Sequence, residues 1–253
     1  MNIDTLAREI AAGKPVRSLH LTGDHWPELD CQGASFLDCV FERVQFSEAE
    51  FAEARFANCR FISSRFAHAE RPGARFEGCS FTSEDRKGCS FAFSNLQRAM
   101  FAACDLSLAA FDRTELFAIE MRECNLTGTK FTKVDFSRAL SRKQIETRAS
   151  FQACKMDFAD LSESKLPGCS LAGSRLREAD LSGADLTDAD LSDCDLFQAI
   201  VDGAKLAGAD LGGAEVSGLN LTTLADFAGL KVSDDQMFAL LDAMGVTVRA
   251  RSR

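Results

Sequence analysis

From Phe36 to Leu221, every fifth residue falls in one apolar register of 38 positions. Fifteen are Phe, fifteen are Leu, and Met121, Met156, Val201 and Val216 supply four more. Arg71, Arg86, Ser141 and Glu146 interrupt the series. A period of five fits neither the 3.6 of a helix nor the 2 of a strand, so the chain has to turn at each repeat and bury one large side chain there. This predicts a solenoid.

Two residues before each large residue the chain carries small ones: Ala34, Cys39, Ala49, Ala54, Cys59, Ala69, Ala74, Cys79, and later Ala179, Ala184, Ala189 and Cys194. One small and one large inward residue per repeat fill a narrow core without voids. Two residues after the large one glycine accumulates, with 14 of the 17 glycines in that class. That position suits a turn with positive φ.

The stretch Ala179 to Leu186 reads A-D-L-S-G-A-D-L. It resembles the pentapeptide-repeat family, whose pattern is A-(D/N)-(L/F)-x-x, over roughly residues 16–221. The resemblance implies an all-β solenoid: a right-handed quadrilateral parallel β-helix with four repeats, or 20 residues, per coil. At a strand spacing of about 4.8 Å, nine to ten such coils make a rod roughly 45 Å long. The chain then divides into an N-terminal capping segment (1–15), the β-helix (16–221), and a C-terminal helix and tail (222–253).

The segment Met1 to Ala12 contains Asp4, Arg8 and Glu9, lacks the apolar stretch of a signal peptide, and reads as a helix over the open end of the solenoid with Leu6 and Ile10 inward. No run of about 18 apolar residues exists, and a cytoplasmic protein is expected. At the other end, Ser233 and Gln236 make a capping box, Asp234 and Asp235 suit a helix N-terminus, and Gly245 is a stop. Met237, Leu240, Leu241 and Met244 form one apolar stripe with Phe238 beside it. The stripe predicts packing on the last coil, and its surplus predicts a homodimer.

Nine of the ten cysteines occupy the small inward position, where Ala is the alternative. Reduced, buried, space-filling thiols follow, with Cys39, Cys59 and Cys79 one above another. The absence of Cys-x-x-Cys and of histidine partners argues against zinc. His20, His25 and His68 have no nucleophile or ligand partner at a recognisable spacing, and Gly208, Gly212 and Gly213 follow the turn period rather than a phosphate loop. The reading is of a protein that is not an enzyme and needs no cofactor.

The net charge of −9 resides entirely in residues 157–221, which hold 13 acidic and four basic side chains. Residues 1–156 carry 21 of each sign and residues 222–253 four of each. Asp160, Asp180, Asp185, Asp190, Asp195 and Asp210 precede the central Leu, where a short acceptor bonds local N–H groups. Lys165, Asp185 and Lys205, and Arg175 and Asp195, stand twenty residues apart as expected ion pairs. The acidic stretch (Asp157, Asp160, Asp180, Asp188, Asp190, Asp193, Asp202, Asp210, Glu215) is taken as one contact face. It repels nucleic acid and attracts a basic protein.

Charged residues do not fit a narrow core, so Arg71 with Pro72, Arg86 with Lys87, and 141–150 with Arg142, Lys143 and Arg148 are expected to leave the coil as loops. All three keep the frame, so each insertion is a multiple of five. Repeat, tail and acidity together are similar to the quinolone-resistance (Qnr- and MfpA-like) proteins. Those are dimeric, anionic rods resembling duplex DNA and acting on DNA gyrase and topoisomerase IV. The mixed-charge first part, with Arg43, Arg55, Arg60, Arg65 and Arg75, fits a protein-binding scaffold or adaptor equally well. Some pentapeptide-repeat proteins accompany secretion systems such as type VI.

Overall fold

The computed structural model describes residues 3–23, 26, 30–47, 49–69, 72–83, 85, 87–141 and 144–249, with side chains from residue 6 onward. The chain winds into a parallel β-helix with four faces, here called A to D in chain order. Face A is a seven-stranded parallel sheet of Val16–Arg17, Ser35–Leu37, Arg55–Ala57, Arg75–Glu77, Met100–Ala102, Ile119–Arg122 and Ala149–Gln152. It continues as single bridges from Ser150 through Ser170, Asp190 and Asp210 to Lys231. Face B begins with His20–Thr22, Val40–Glu42 and Arg60–Ile62. Face C runs through bridges from Gln45 to Arg65, Ser90, Ala110, Lys130, Asp160, Asp180 and Ile200. Face D passes through Asn95, Glu115 and Asp135, then Lys165, Asp185, Lys205 and Asp226.

Register shows where the frame is interrupted. Phe56 pairs with Phe76, twenty residues on, but Phe76 pairs with Phe101 and Met121 with Phe151. The first offset is one extra repeat, the loop 83–87, closed at its neck by an antiparallel bridge between Thr82 and Gly88. The second is two extra repeats, an antiparallel hairpin of Ser137–Ser141 and Gln144–Thr147. Pro72 corrects the sequence reading: its carbonyl accepts from Glu53 N–H at 3.0 Å, and the next residue, Gly73, donates to Gln97 at 2.8 Å, so this site stays in the ladder. Proline has no backbone N–H, so at a position whose nitrogen faces away from the coil it costs no rung of the ladder. Arg71, Arg86, Arg142 and Lys143 themselves lie outside the described residues.

Inside, the large residues stack in columns. Phe36, Phe56, Phe76 and Phe101 lie 4.9, 4.9 and 4.7 Å apart with rings within 10° of parallel. Phe46, Phe66, Phe91, Phe111 and Phe131 repeat this on face C. Ring spacing equals strand spacing, so one phenylalanine per coil packs without a gap. At the small position, hydroxyls and thiols donate to the carbonyl one coil below: Ser64 to Phe41, Thr114 to Phe91, Cys59 to Phe36, Cys124 to Phe101. All ten cysteines are free and buried. With the insertions placed, Cys39, Cys59, Cys79, Cys104, Cys124 and Cys154 form one continuous column.

Both ends are closed. Helix α1, Ile3–Ala11, buries Leu6 and part-buries Ile10. Above it Trp26 meets Phe36, Phe41, Phe46 and Phe51 at centroid distances of 5.2 to 5.9 Å. At the far end a 3-10 turn, Leu221–Thr223, absorbs one extra residue, so Asp226 and Lys231 still pair with Lys205 and Asp210. The coil thus runs past the boundary at 221 that the five-residue frame predicts. Gln236, buried in the capping box with Ser233, donates through Nε2 to the carbonyls of Leu211 and Ala214, both at 2.6 Å. Helix α2, Met237–Ala243, follows from it.

Candidate interaction surfaces

In each repeat the residue before the large one points outward from a flat face, and the two after it form an edge. Successive repeats therefore face directions a quarter-turn apart, and only residues one whole coil apart share a face. This corrects the reading of 157–215 as a single contact surface. Asp190 and Asp210 lie on face A, with Asp188 on its D-side edge and Asp193 on its B-side edge. Asp160 and Asp180 lie on face C, with Asp202 on its D-side edge, and Glu215 ends face B. Asp157 is buried, 7% exposed, where Arg175 clamps it through Nε at 2.8 Å and through Nη2.

The ion pairs are diagonal rather than vertical. Arg175 takes Asp157, and Asp195 is taken by Arg177. An edge residue reaches across to the face residue of the neighbouring coil, eighteen positions away. Among the described residues, Lys205 and Asp185 are the one pair along a face, at 3.8 Å.

Around face A, Asp188 and Asp193 are exposed and Asp190 and Asp210 half-buried. Asp188 and Asp193 have left-handed backbone (φ 55° and 56°), and the residues above them are Gly208 and Gly213. A Cβ on either glycine would come within 2.1 or 2.4 Å of the aspartate oxygen. With no side chain above, both carboxylates remain uncovered. Asp190 accepts from Ser192 N–H and Oγ–H at 3.1 and 2.6 Å, and the Ser192 bonds hold its carboxyl below the usual carboxylate range.

At the first loop, Lys87 pairs with Asp85 at 2.8 Å, and Ser83 also binds Asp85, whose carboxyl falls to about 2 because of Lys87 first and Ser83 second. The hairpin exposes Leu140 (46%) and Ile145 (71%), while Arg138 stacks on Phe117 at 4.5 Å and faces Glu146 at 3.6 Å. Arg148 has rejoined the coil, its N–H bound to the Phe136 carbonyl and its own carbonyl to Ala118 N–H. At the hairpin foot a cleft of about 310 Å³ is lined by Met100, Glu120, Arg122, Arg148 and Gln152. On α2, Leu240 is buried and Leu241 half-buried, leaving Met237, Phe238 and Met244 exposed. The predicted stripe is split between the coil and solvent.

Among the described residues there is no group of three or more His, Cys, Asp and Glu able to hold a metal ion, and no helix is long and apolar enough to cross a membrane. His20 bonds Thr22 and faces Glu42 at 3.8 Å, and His68 stacks on Phe93; His25 lies outside the described residues.

The family model for pentapeptide repeats matches eight copies, over residues 28–61, 45–82, 154–193 and 189–223. Among solved structures, a trypsin-treated, singly substituted form of QnrB1, a plasmid-mediated fluoroquinolone resistance protein, superposes with a TM-score of 0.67 and 24% identity, covering 93% of this chain and 100% of that one. Full-length QnrB1 gives 0.56 at 24% identity, covering 91% and 99%. HetL, involved in heterocyst differentiation regulation in Nostoc sp. strain PCC 7120, gives 0.42 at 23% identity over 92% and 94%. No curated protein sequence matches.

Proposed function

Since this chain belongs to the pentapeptide-repeat family, we propose that it acts as a non-enzymatic protein-interaction rod, a scaffold or adaptor whose fixed surface holds a basic partner. The observation that carries this reading is the acidic group on face A, with Asp188 and Asp193 exposed at its two edges. Asp188, Asp190, Asp193 and Asp210 stand on a rigid sheet with glycines above its two edges. Such a group projects a negative field toward a cationic protein and steers its approach. The test is affinity capture with wild-type protein and with an Asp188→Lys, Asp193→Lys variant. Both substitutions lie at exposed edges, so the variant keeps its melting temperature and loses the captured partner; retention of every partner sinks the reading.

A second reading is protection of DNA gyrase or topoisomerase IV. It is favoured by the superposition on QnrB1 along nearly the whole of both chains, together with an anionic second half. Salt-sensitive binding to purified gyrase with altered supercoiling supports it; no binding at low salt leaves the adaptor reading.

A further inference from the structure

We propose that face C is a self-complementary interface through which two copies of this chain lie side by side and antiparallel. Its outward column reads Gln45, Arg65, Ser90, Ala110, Lys130, then Asp160, Asp180, Ile200. The adjoining D-side edge adds His68, Phe93, Arg113 and Lys133 below, and Glu163 and Asp202 above. In the lower half four cations therefore stand against one carboxylate among the described residues, Asp112. The upper half has four carboxylates and, among the described residues, no cation.

A two-fold axis across the rod inverts one copy against the other. It brings the cationic half of each onto the anionic half of its partner, the isologous arrangement of closed dimers. On the opposite edge of face C, Arg43 pairs with Glu42, Lys87 with Asp85, Asp157 with Arg175 and Arg177 with Asp195, while exposed Glu178 adds one more carboxylate to the anionic half. Face A lacks this order. Its Arg55 and Arg75 are answered by Glu77, Glu120 and Glu123, and its acidic end is followed by Lys231.

Between the hairpin and the two ends, four of the exposed apolar side chains gather on this side. Phe93 (45%), Leu108 (46%), Phe158 (57%) and Ile200 (46%) all lie on face C or its two edges, around a floor as small as Ser90 and Ala110. Phe93, Leu108 and Phe158 occupy the corner position of the repeat, where the same left-handed backbone recurs around the rod with polar side chains such as Arg113, Glu163 and Gln198. Large apolar residues exposed at corners that elsewhere carry polar side chains, beside a charge-ordered face, fit an interface with a partner.

The experiment is sedimentation of full-length protein with two charge-reversed forms, Lys130→Glu with Lys133→Glu, and Glu163→Lys with Asp202→Lys. All four side chains project from exposed or edge positions, and melting curves check that each form is folded. Wild type is expected to self-associate, more weakly in high salt. Each reversed form loses self-association at least about tenfold, since like charges then meet across the axis. Mixing the two forms restores a one-to-one dimer, because their altered halves are complementary. A wild type that stays monomeric at low salt overturns the proposal, as does a mixture that fails to pair. A dimer abolished by Phe238→Glu with Met244→Glu on α2, yet unchanged by both charge reversals, assigns the contact to the tail and also overturns it.

Discussion

Gly88 is fixed by proximity rather than by its dihedral angles. A Cβ there would lie 2.2 Å from both the carbonyl carbon and oxygen of Leu108 in the next coil. Backbone atoms cannot rotate aside, so Gly88→Ala must push two coils apart, at a cost of about 1 to 3 kcal/mol. Gly168 has φ +66° but open space around its Cβ position, so Gly168→Ala meets only the left-handed penalty of roughly 1 to 2 kcal/mol. Thermal melts of the two variants check the order. The thiols are a second residue-scale case. Burial raises Cys169 to about 11 and Cys194 to about 12. A pKa raised on folding gives stability that is complete below the ordinary thiol value of about 8.5. That stability is lost as pH climbs toward the folded value, because the unfolded chain ionises first. The melting temperature should fall between about pH 8.5 and 11, and native protein at neutral pH should label slowly with a thiol reagent. Rapid labelling of most cysteines without unfolding contradicts the buried column.

At the scale of elements, the loop 83–87 and the hairpin have a property that follows from the frame. Removing 83–87 joins Thr82 to Gly88, and removing 138–147 joins Ser137 to Arg148; each leaves an uninterrupted five-residue register. Both deletion forms should fold with melting temperatures at or above wild type, checked by circular dichroism and differential scanning calorimetry. The same property explains what the sequence concealed. Periodicity alone made Phe36, Phe41 and their successors legible as core, because no other position tolerates so regular an apolar series. It carried no signal for which break leaves the coil, since an extra repeat keeps the frame while turning every later residue by one face. Hence Pro72 and Gly73 stay in the ladder while Ser83, Asp85 and Lys87 do not. The single thiol column from Cys39 to Cys154 appears only after both insertions are placed. The scatter of Asp157 to Glu215 around the rod was legible, because aspartates five residues apart face successive sides. Tail packing was half legible: the capping box of Ser233 and Gln236 stood in the sequence, but the Gln236 amide sealing Leu211 and Ala214 depends on where the last coil ends.

The whole rod is one stack of nearest-neighbour contacts, yet it has a seam. On face D, bridges join Glu115 to Asp135 and Lys165 to Asp185, while among the described residues none joins Asp135 to Lys165. Main-chain bonds between 133–136 and 162–165 are likewise missing, although Phe131 still donates to Asp160 at 2.9 Å. Val134 is only half-buried there, and the Ser164 hydroxyl is buried without a partner beside a cleft of about 170 Å³. The hairpin leaves the coil directly after Phe136, so the edge that would close against Lys165 is diverted outward. Below the seam the core is mainly stacked phenylalanine and above it mainly leucine, joined across it by Phe151 against Phe131 and Phe136. Native-state hydrogen exchange should therefore show two protected blocks divided near Val134 and Lys165, with the amides of Lys133, Phe136 and Lys165 exchanging early. Phe56→Ala, costing about 3 to 5 kcal/mol, should lower protection in the first block more than in the second, and Leu186→Ala should do the reverse. In the form lacking 138–147 the ladder closes, and Lys165 should gain protection. Equal loss of protection along the entire rod from either substitution would show a single cooperative unit and remove the seam as a boundary.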